Sequence, residues 1–372
     1  MKFKPGYILL GILLVYCISW LTGTRYIWKT LVYQKVDYDD YKIFHNRGIK
    51  KGVPYYFPAS TSTIDCPPDL KKYLTEIESI GLLVLRNDSV AYENYWDGYD
   101  ETTIANSFSV AKSYVSMMVG IAIEDGYIES TEQSVREFLP DLDSATFHAI
   151  TLGHLLTMSS GLEWIERYNM PINHTTESYY GTNLWKLVSR LKRKHPPGEV
   201  YHYKGCDPQL LAFVLAEATG TNISSYLSTR FWKPTGSESG ALWSLDHKNG
   251  TEKAYCCINA VARDFARIGQ VYLHHGKWND AQLVDSLWVA KSVRAHKIPD
   301  RSGDPVDYYG YQWWTMEDIG KNVFYCRGLN GQYVIVMPDQ KAVIVRTGHK
   351  REKAGENHPV EVLRMVEWIE TL

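Results

Sequence analysis

The chain reads as an α+β protein: one antiparallel sheet assembled from both chain ends, flanked by helices, with an all-helical lobe inserted between them. Three observations predict this. Strand-like runs occur at Gly81–Trp96 and again only after Tyr311, and the long stretch between them carries helical patterning. The composition, 45% hydrophobic and 22% charged over 372 residues, is that of a globular chain long enough for a sizeable core. No internal repeat is visible.

The N-terminus stands apart. Pro5 to Thr24 is 20 residues without a charge, and Tyr7–Leu21 is nearly all apolar. At about 1.5 Å per residue such a helix matches a bilayer core of roughly 30 Å. Lys2 and Lys4 precede it, no small-x-small cleavage site follows, and Cys17 lacks the small residue expected before a lipidated cysteine. Residues 1–24 are therefore read as an uncleaved signal anchor. Arg25, Lys29 and Lys35 balance Lys2 and Lys4, so charge alone does not set its orientation. Residues 25–65, with their polar and Pro/Gly breaks, read as a juxtamembrane linker, and 66–372 as the folded domain.

The domain opens with a short helix near Asp69–Ser79. Gly81–Arg86 and Val90–Trp96 read as strands of a hairpin around Asn87-Asp88-Ser89. Ser109 then begins an apolar helical run. Leu152–Gly161 and Gln209–Gly220 read as helices stopped by glycine, and Asn183–Lys194 as an amphipathic helix. Ala260–Leu273 continues the helical series. Strand character returns at Tyr311–Trp314, Asn322–Cys326, Tyr333–Met337 and Ala342–Arg346, before a closing helix at Pro359–Leu372.

With a net charge of −2 and a pI near 6.6, no basic field argues for nucleic acid. The one dense cluster (Arg190, Lys192, Arg193, Lys194, His195) reads as a solvated helix end. The 27 Tyr and 12 Trp suit a cleft lining or a large core with wet edges. Of six cysteines Cys17 falls in the anchor, leaving an odd remainder with the vicinal pair Cys256-Cys257. That is neither a disulfide framework nor a zinc pattern, so buried free thiols are expected.

Ser109-Val110-Ala111-Lys112 carries the chemistry. On a helix, positions i and i+3 share a face, which puts a lysine amine beside a serine hydroxyl. Asn106 and Ser107 are N-cap candidates that would leave Ser109 in the first turn, where free backbone N–H groups favour an oxyanion. Three further stretches follow in order: Ile150–Leu162, Pro197-Gly-Glu-Val-Tyr-His-Tyr203 and Gly328-Leu-Asn-Gly-Gln332. With them the chain, from about Ser79 to Leu372, resembles the serine β-lactamase/penicillin-binding-protein superfamily. It is similar in particular to the class C β-lactamase-like branch that holds esterases, D-amino-acid peptidases and 6-aminohexanoate-oligomer hydrolases. The vicinal cysteines and Tyr308–Trp314 resemble the last of these.

The resemblance implies a β-lactamase/transpeptidase-like fold, with Ser109 as nucleophile, Lys112 as the helical lysine and Tyr203 as the tyrosine of a Tyr-x-Asn motif. Leu329-Asn330-Gly331 falls on the third motif, so Asn330, Gly331 and Gln332 are expected to bind substrate, the Gln332 and Ser109 N–H groups forming an oxyanion hole. No metal and no organic cofactor is implied. Two departures matter. Gly205 stands where the asparagine is usual, and Leu329 where a cation or imidazole helps grip a substrate carboxylate. Arg327 and Arg346 read as strand-edge cations, His154 as a core histidine, and Asp264 as the partner of Arg263. The expectation is a membrane-anchored serine hydrolase that cleaves a small amide or ester through an acyl-enzyme. Its domain would lie on the extracytoplasmic side of a bacterial-type inner membrane. The alternatives are a silent relative that binds cell-wall peptide or a protein partner, and a penicillin-binding carboxypeptidase or β-lactamase proper.

Overall fold

A computed structural model describes residues 5–168, 170–352 and 357–372. Helix α1 (Pro5–Leu21) spans 17 residues, about 25 Å. No described helix is long and apolar enough to cross a membrane, so the spanning anchor expected over 1–24 is not supported; residues 1–4 lie outside the described chain. Helix α2 (Tyr26–Tyr33) follows, with Trp28 Nε1 donating to Ser19 Oγ at 2.8 Å. The stretch 25–65, read as a linker, carries structure of its own: α2 and strand β1 (His45–Ile49) both pack onto the domain.

Helix α3 (Pro68–Glu76) leads into β2 (Ser79–Arg86) and β3 (Ser89–Tyr95). Asn87 and Asp88 between them have φ of 46° and 62°, the pair of left-handed residues that a tight hairpin needs. Strand β4 (Ala105–Asn106) and the buried helix α4 (Ala111–Glu124) come next.

The helical lobe is built from α5 (Val135–Phe138), α6 (Ser144–Phe147), α7 (Leu152–Leu156), α8 (His174–Tyr180), α9 (Leu184–Ser189), α10 (Cys206–Thr219) and α11 (Ile223–Leu227). Most of these are short, and side chains start them: Ser134, Asp143, Thr151, Asn173, Asn183 and Asn222 each accept a backbone N–H at the helix entrance. Gly220, at φ +66°, ends α10 as expected. The chain then forms β5 (Ala241–Leu245), β6 (Ile258–Ala260), α12 (Ala262–Leu273), the small pair β7 (Lys277–Trp278) and β8 (Ala281–Gln282), and α13 (Ser286–Ser292). Strands β9 (Trp314–Thr315), β10 (Phe324–Gly328), β11 (Gln332–Met337) and β12 (Ala342–Gly348) precede the last helix, α14 (Val360–Glu370).

The main sheet runs β3-β2-β12-β11-β10-β9, every pairing antiparallel. The N-terminal hairpin joins the C-terminal strands through β2 and β12, where Val84 faces Ile344. This is the sheet from both chain ends that the sequence predicts. Its side chains alternate: Val334, Val336, Val343 and Val345 face the large core of α4 and α12, and Ile335, Met337 and Ile344 face α3 and α14. A second antiparallel sheet, β1-β5-β6-β4, delivers the chain to the nucleophile.

Candidate active site

Ser109 sits in a short 3-10 turn, Phe108–Val110, that feeds α4 rather than in the helix itself. Neither Asn106 nor Ser107 caps α4. Asn106 Oδ1 instead accepts the Phe108 N–H at 2.9 Å, and Ser107 Oγ accepts the Ile258 N–H at 3.1 Å. Both interactions fix the turn, the second by tying it to β6. Phe108 has φ +44°, a costly conformation for an aromatic residue, so strain is stored beside the nucleophile.

The Ser-x-x-Lys spacing works as read. Lys112 is 2% exposed, and its Nζ donates to Ser109 Oγ at 2.8 Å and to the Tyr255 carbonyl at 2.7 Å. An ammonium has three donors, which leaves one. The same Nζ lies 5.0 Å from the centroid of the Tyr203 ring. Tyr203, some ninety residues away in sequence, is therefore brought beside the Ser109–Lys112 pair.

The Tyr255 carbonyl is followed by Cys256 and Cys257, which form a vicinal disulfide instead of the free thiols expected. The loop is pinned further by Trp243 Nε1 on the Cys256 carbonyl and by the Ser244 N–H on the Cys257 carbonyl, both at 3.0 Å. Cys17, Cys66, Cys206 and Cys326 are free.

Tyr203 lies just before α10, with its ring against Tyr309 and Trp314. Lys204 turns inward. Its Nζ donates to Ser160 Oγ at 3.1 Å and sits 3.9 Å from Asp207, whose Oδ1 accepts from Ser160 at 2.6 Å. Burial pushes the Asp207 carboxyl up, and the Lys204 ammonium opposes the shift. This buried cluster locks the Tyr203 loop to the end of the Ile150–Leu162 stretch. Gly205 donates its N–H to Glu166 Oε2 at 3.0 Å, and Glu166 also accepts from Trp164 Nε1 and Tyr168 OH. Nothing in the sequence singled out Glu166; a lone carboxylate in an irregular loop has no pattern to betray it.

Leu329-Asn330-Gly331 forms the turn between β10 and β11. Gly331 has φ +83°, and a Cβ there would lie 1.8 Å from Arg346 Nη1. The glycine is demanded by that guanidinium and by the backbone. Arg346 is fully buried on central strand β12, bonded to Ser79 Oγ and to the carbonyls of Gly331, Ile77 and Lys350. It is a brace, not a strand-edge cation. Gln332 spends its side chain on Gly348, donating through Nε2 at 2.6 Å. The Asn330 side-chain amide donates to the Val36 carbonyl at 3.2 Å. Gly328 brings β10 onto the nucleophile turn, since a Cβ there would meet the Ser107 carbonyl at 2.4 Å.

Ser109, Leu329 and Asn330 line one pocket of about 650 Å³, a size for a small molecule. Glu166, Tyr168 and Cys256 line it too, as do Gln34–Asp37, in the stretch read as a linker. The other residues weighed are structural. His154 Nδ1 accepts the Thr151 N–H in the α7 capping box. Arg327 lies over the Trp314 ring at 4.7 Å. Asp264 pairs with Arg267 at 3.1 Å, whereas Arg263 bonds Glu93.

Comparison with known proteins adds four findings. A family model described as Beta-lactamase matches residues 70–363. The 6-aminohexanoate-dimer hydrolase of Paenarthrobacter ureafaciens is 27% identical over 297 residues, covering 75% of this chain and 74% of that protein. Among solved structures, a Bacillus anthracis protein described as a 6-aminohexanoate-dimer hydrolase superposes with a TM-score of 0.76 at 23% identity, covering 88% of this chain and 90% of the other. A family VIII carboxylesterase superposes with a TM-score of 0.63 at 13% identity, covering 83% and 99%.

Proposed function

Since the chain belongs to the Beta-lactamase family and is a serine hydrolase, we propose that it cleaves a small amide or ester through an acyl-enzyme on Ser109. The observation that carries this is the contact of Lys112 Nζ with Ser109 Oγ at 2.8 Å, with the Tyr203 ring beside the same ammonium. In this reading Tyr203 acts as phenolate, held by the Lys112 charge, and takes the Ser109 proton as Oγ attacks the carbonyl. The tetrahedral oxyanion is held by the N–H groups of Ser109 and Gln332. Tyr203 then returns the proton to the leaving amine or alcohol, and water reverses the sequence to free the acid.

The name of the Paenarthrobacter relative, 6-aminohexanoate-dimer hydrolase, points to short amides with a flexible chain, and the carboxylesterase likeness to esters. Leu329 offers no cation for a substrate carboxylate, which disfavours penicillins. A fluorophosphonate probe tests the proposal: the wild type labels and Ser109→Ala does not, whereas equal labelling of both defeats it.

We place the domain outside the cytoplasm, held at a bacterial-type membrane by α1. The exposed run Leu13–Ile18, Trp20 and Leu21 on that uncharged helix supports the membrane contact, and the side rests on the family resemblance alone. Membrane fractionation with and without residues 1–24 tests this; equal solubility of the two forms removes it.

A further inference from the structure

One wall of the pocket is made by residues outside the family match of 70–363. Gln34, Lys35, Val36 and Asp37 all line it. They are held at both ends. Ahead of them, Tyr33 stacks on Tyr180 of α8 with ring centroids 6.1 Å apart. Behind them, the Asn106 N–H donates to the Tyr38 carbonyl at 2.7 Å, three residues before Ser109. Between these ends two contacts press the segment onto the third motif and the strand beside it. Asn330 Nδ2 donates to the Val36 carbonyl at 3.2 Å. Asp37 Oδ1 meets His349 Nδ1 at 2.9 Å, and His349 Nε2 in turn meets Tyr99 OH at 3.0 Å. The Tyr38 ring packs edge-on against the same imidazole at 4.7 Å.

We infer that Gln34–Asp37 is the specificity wall of this enzyme, limiting the length of the acyl group that Ser109 can accept, and that the Asp37–His349 contact latches it. This rests on the reading of Ser109 as the acylated residue. The physical reason is that the segment and Ser109 bound the same pocket of about 650 Å³, and the main chain of this strap is held by hydrogen bonds on the Val36 and Tyr38 carbonyls. Asn330, whose amide is engaged by the strap, positions it. An acyl chain longer than the pocket has to displace hydrogen-bonded backbone, so selectivity falls on chain length.

The test uses the full chain and p-nitrophenyl esters from acetate to octanoate. The wild type prefers acetate. Asp37→Ala unlatches the strap and shrinks the acetate-to-octanoate ratio of kcat/KM roughly tenfold, and Val36→Phe thickens the wall and raises that ratio by a similar factor. Ratios that stay put in both variants, with Ser109 still labelled by fluorophosphonate, overturn the wall. Absence of any Ser109-dependent hydrolysis in the wild type instead overturns the acyl-enzyme reading, which keeps the two failures distinct. Circular dichroism confirms that the variants are folded; should Asp37→Ala unfold, Asp37→Asn weakens the latch at constant size and takes its place.

Discussion

Tyr255 holds Lys112 through its main chain: the carbonyl oxygen accepts from Nζ at 2.7 Å, while the same Nζ reaches Ser109 Oγ at 2.8 Å. The lysine, 2% exposed, is aimed by backbone of the loop between β5 and β6, so these partners rather than water fill two of its three donor positions.

Replacing Lys112 by methionine keeps the stem and removes the charge. A loss on the order of 10³ in kcat/KM on a p-nitrophenyl ester is expected. The melting temperature should hold or rise, because a buried charge is costly and an apolar side chain of similar volume is not. Stopped-flow burst amplitudes check the first claim and calorimetry the second; a fully active variant would remove Lys112 from the mechanism.

The Cys256–Cys257 bond adjoins that carbonyl, and Cys257 sits at φ +76°. Reduction by a phosphine opens the ring and frees Tyr255–Cys257 to relax. We expect kcat to fall several-fold and to recover on reoxidation, with the Cys256→Ser/Cys257→Ser double variant insensitive to reductant. Alkylation followed by mass spectrometry shows that reduction occurred. Undiminished kcat in the alkylated protein would mean that Trp243 and Ser244 hold the loop without help.

Gly331→Ala should destabilise by about 2–4 kcal/mol. The new methyl meets both Arg346 Nη1 and, at 2.8 Å, the Lys350 carbonyl, and φ is +83°. Urea unfolding measures it, and a loss below about 1 kcal/mol would show that the turn repacks freely.

Asp40 supplies a pH signature. Burial pushes its carboxyl up to about 6 despite the hydrogen bond from Tyr179 OH. Between pH 4 and 6 the native state then binds more protons than the unfolded chain, so this group's contribution is present at low pH and lost as pH rises through 6. Asp40→Asn cannot titrate. Its stability relative to the wild type should climb by about 2–3 kcal/mol across that window; parallel curves would refute the assignment.

The strands of the main sheet, the Asn87-Asp88 hairpin, α10 and α12 were legible because apolar periodicity and turn residues are local signals, whereas β1 and the short strands β4 to β8 carry too few residues of alternation to stand out. Ser109, Lys112 and Tyr203 were legible as motif residues in order. The roles of Glu166, the Tyr255 carbonyl and Gln34–Asp37 were not, since each acts through contacts made across long sequence distances. Arg346 misled for the same reason. Its burial follows from carbonyls of three loops that converge only in the folded chain, and no carboxylate sits nearby in sequence to announce it.

Strand β1 pairs with β5 from His45↔Leu245 to Ile49↔Ala241, yet it precedes the family-matched residues 70–363. A protein trimmed to that match would leave β5 with a row of unpaired N–H and C=O groups, an open template for strand addition by another molecule. Such a fragment should clump rather than merely lose selectivity, and the shortest tractable version of this hydrolase has to begin upstream of His45.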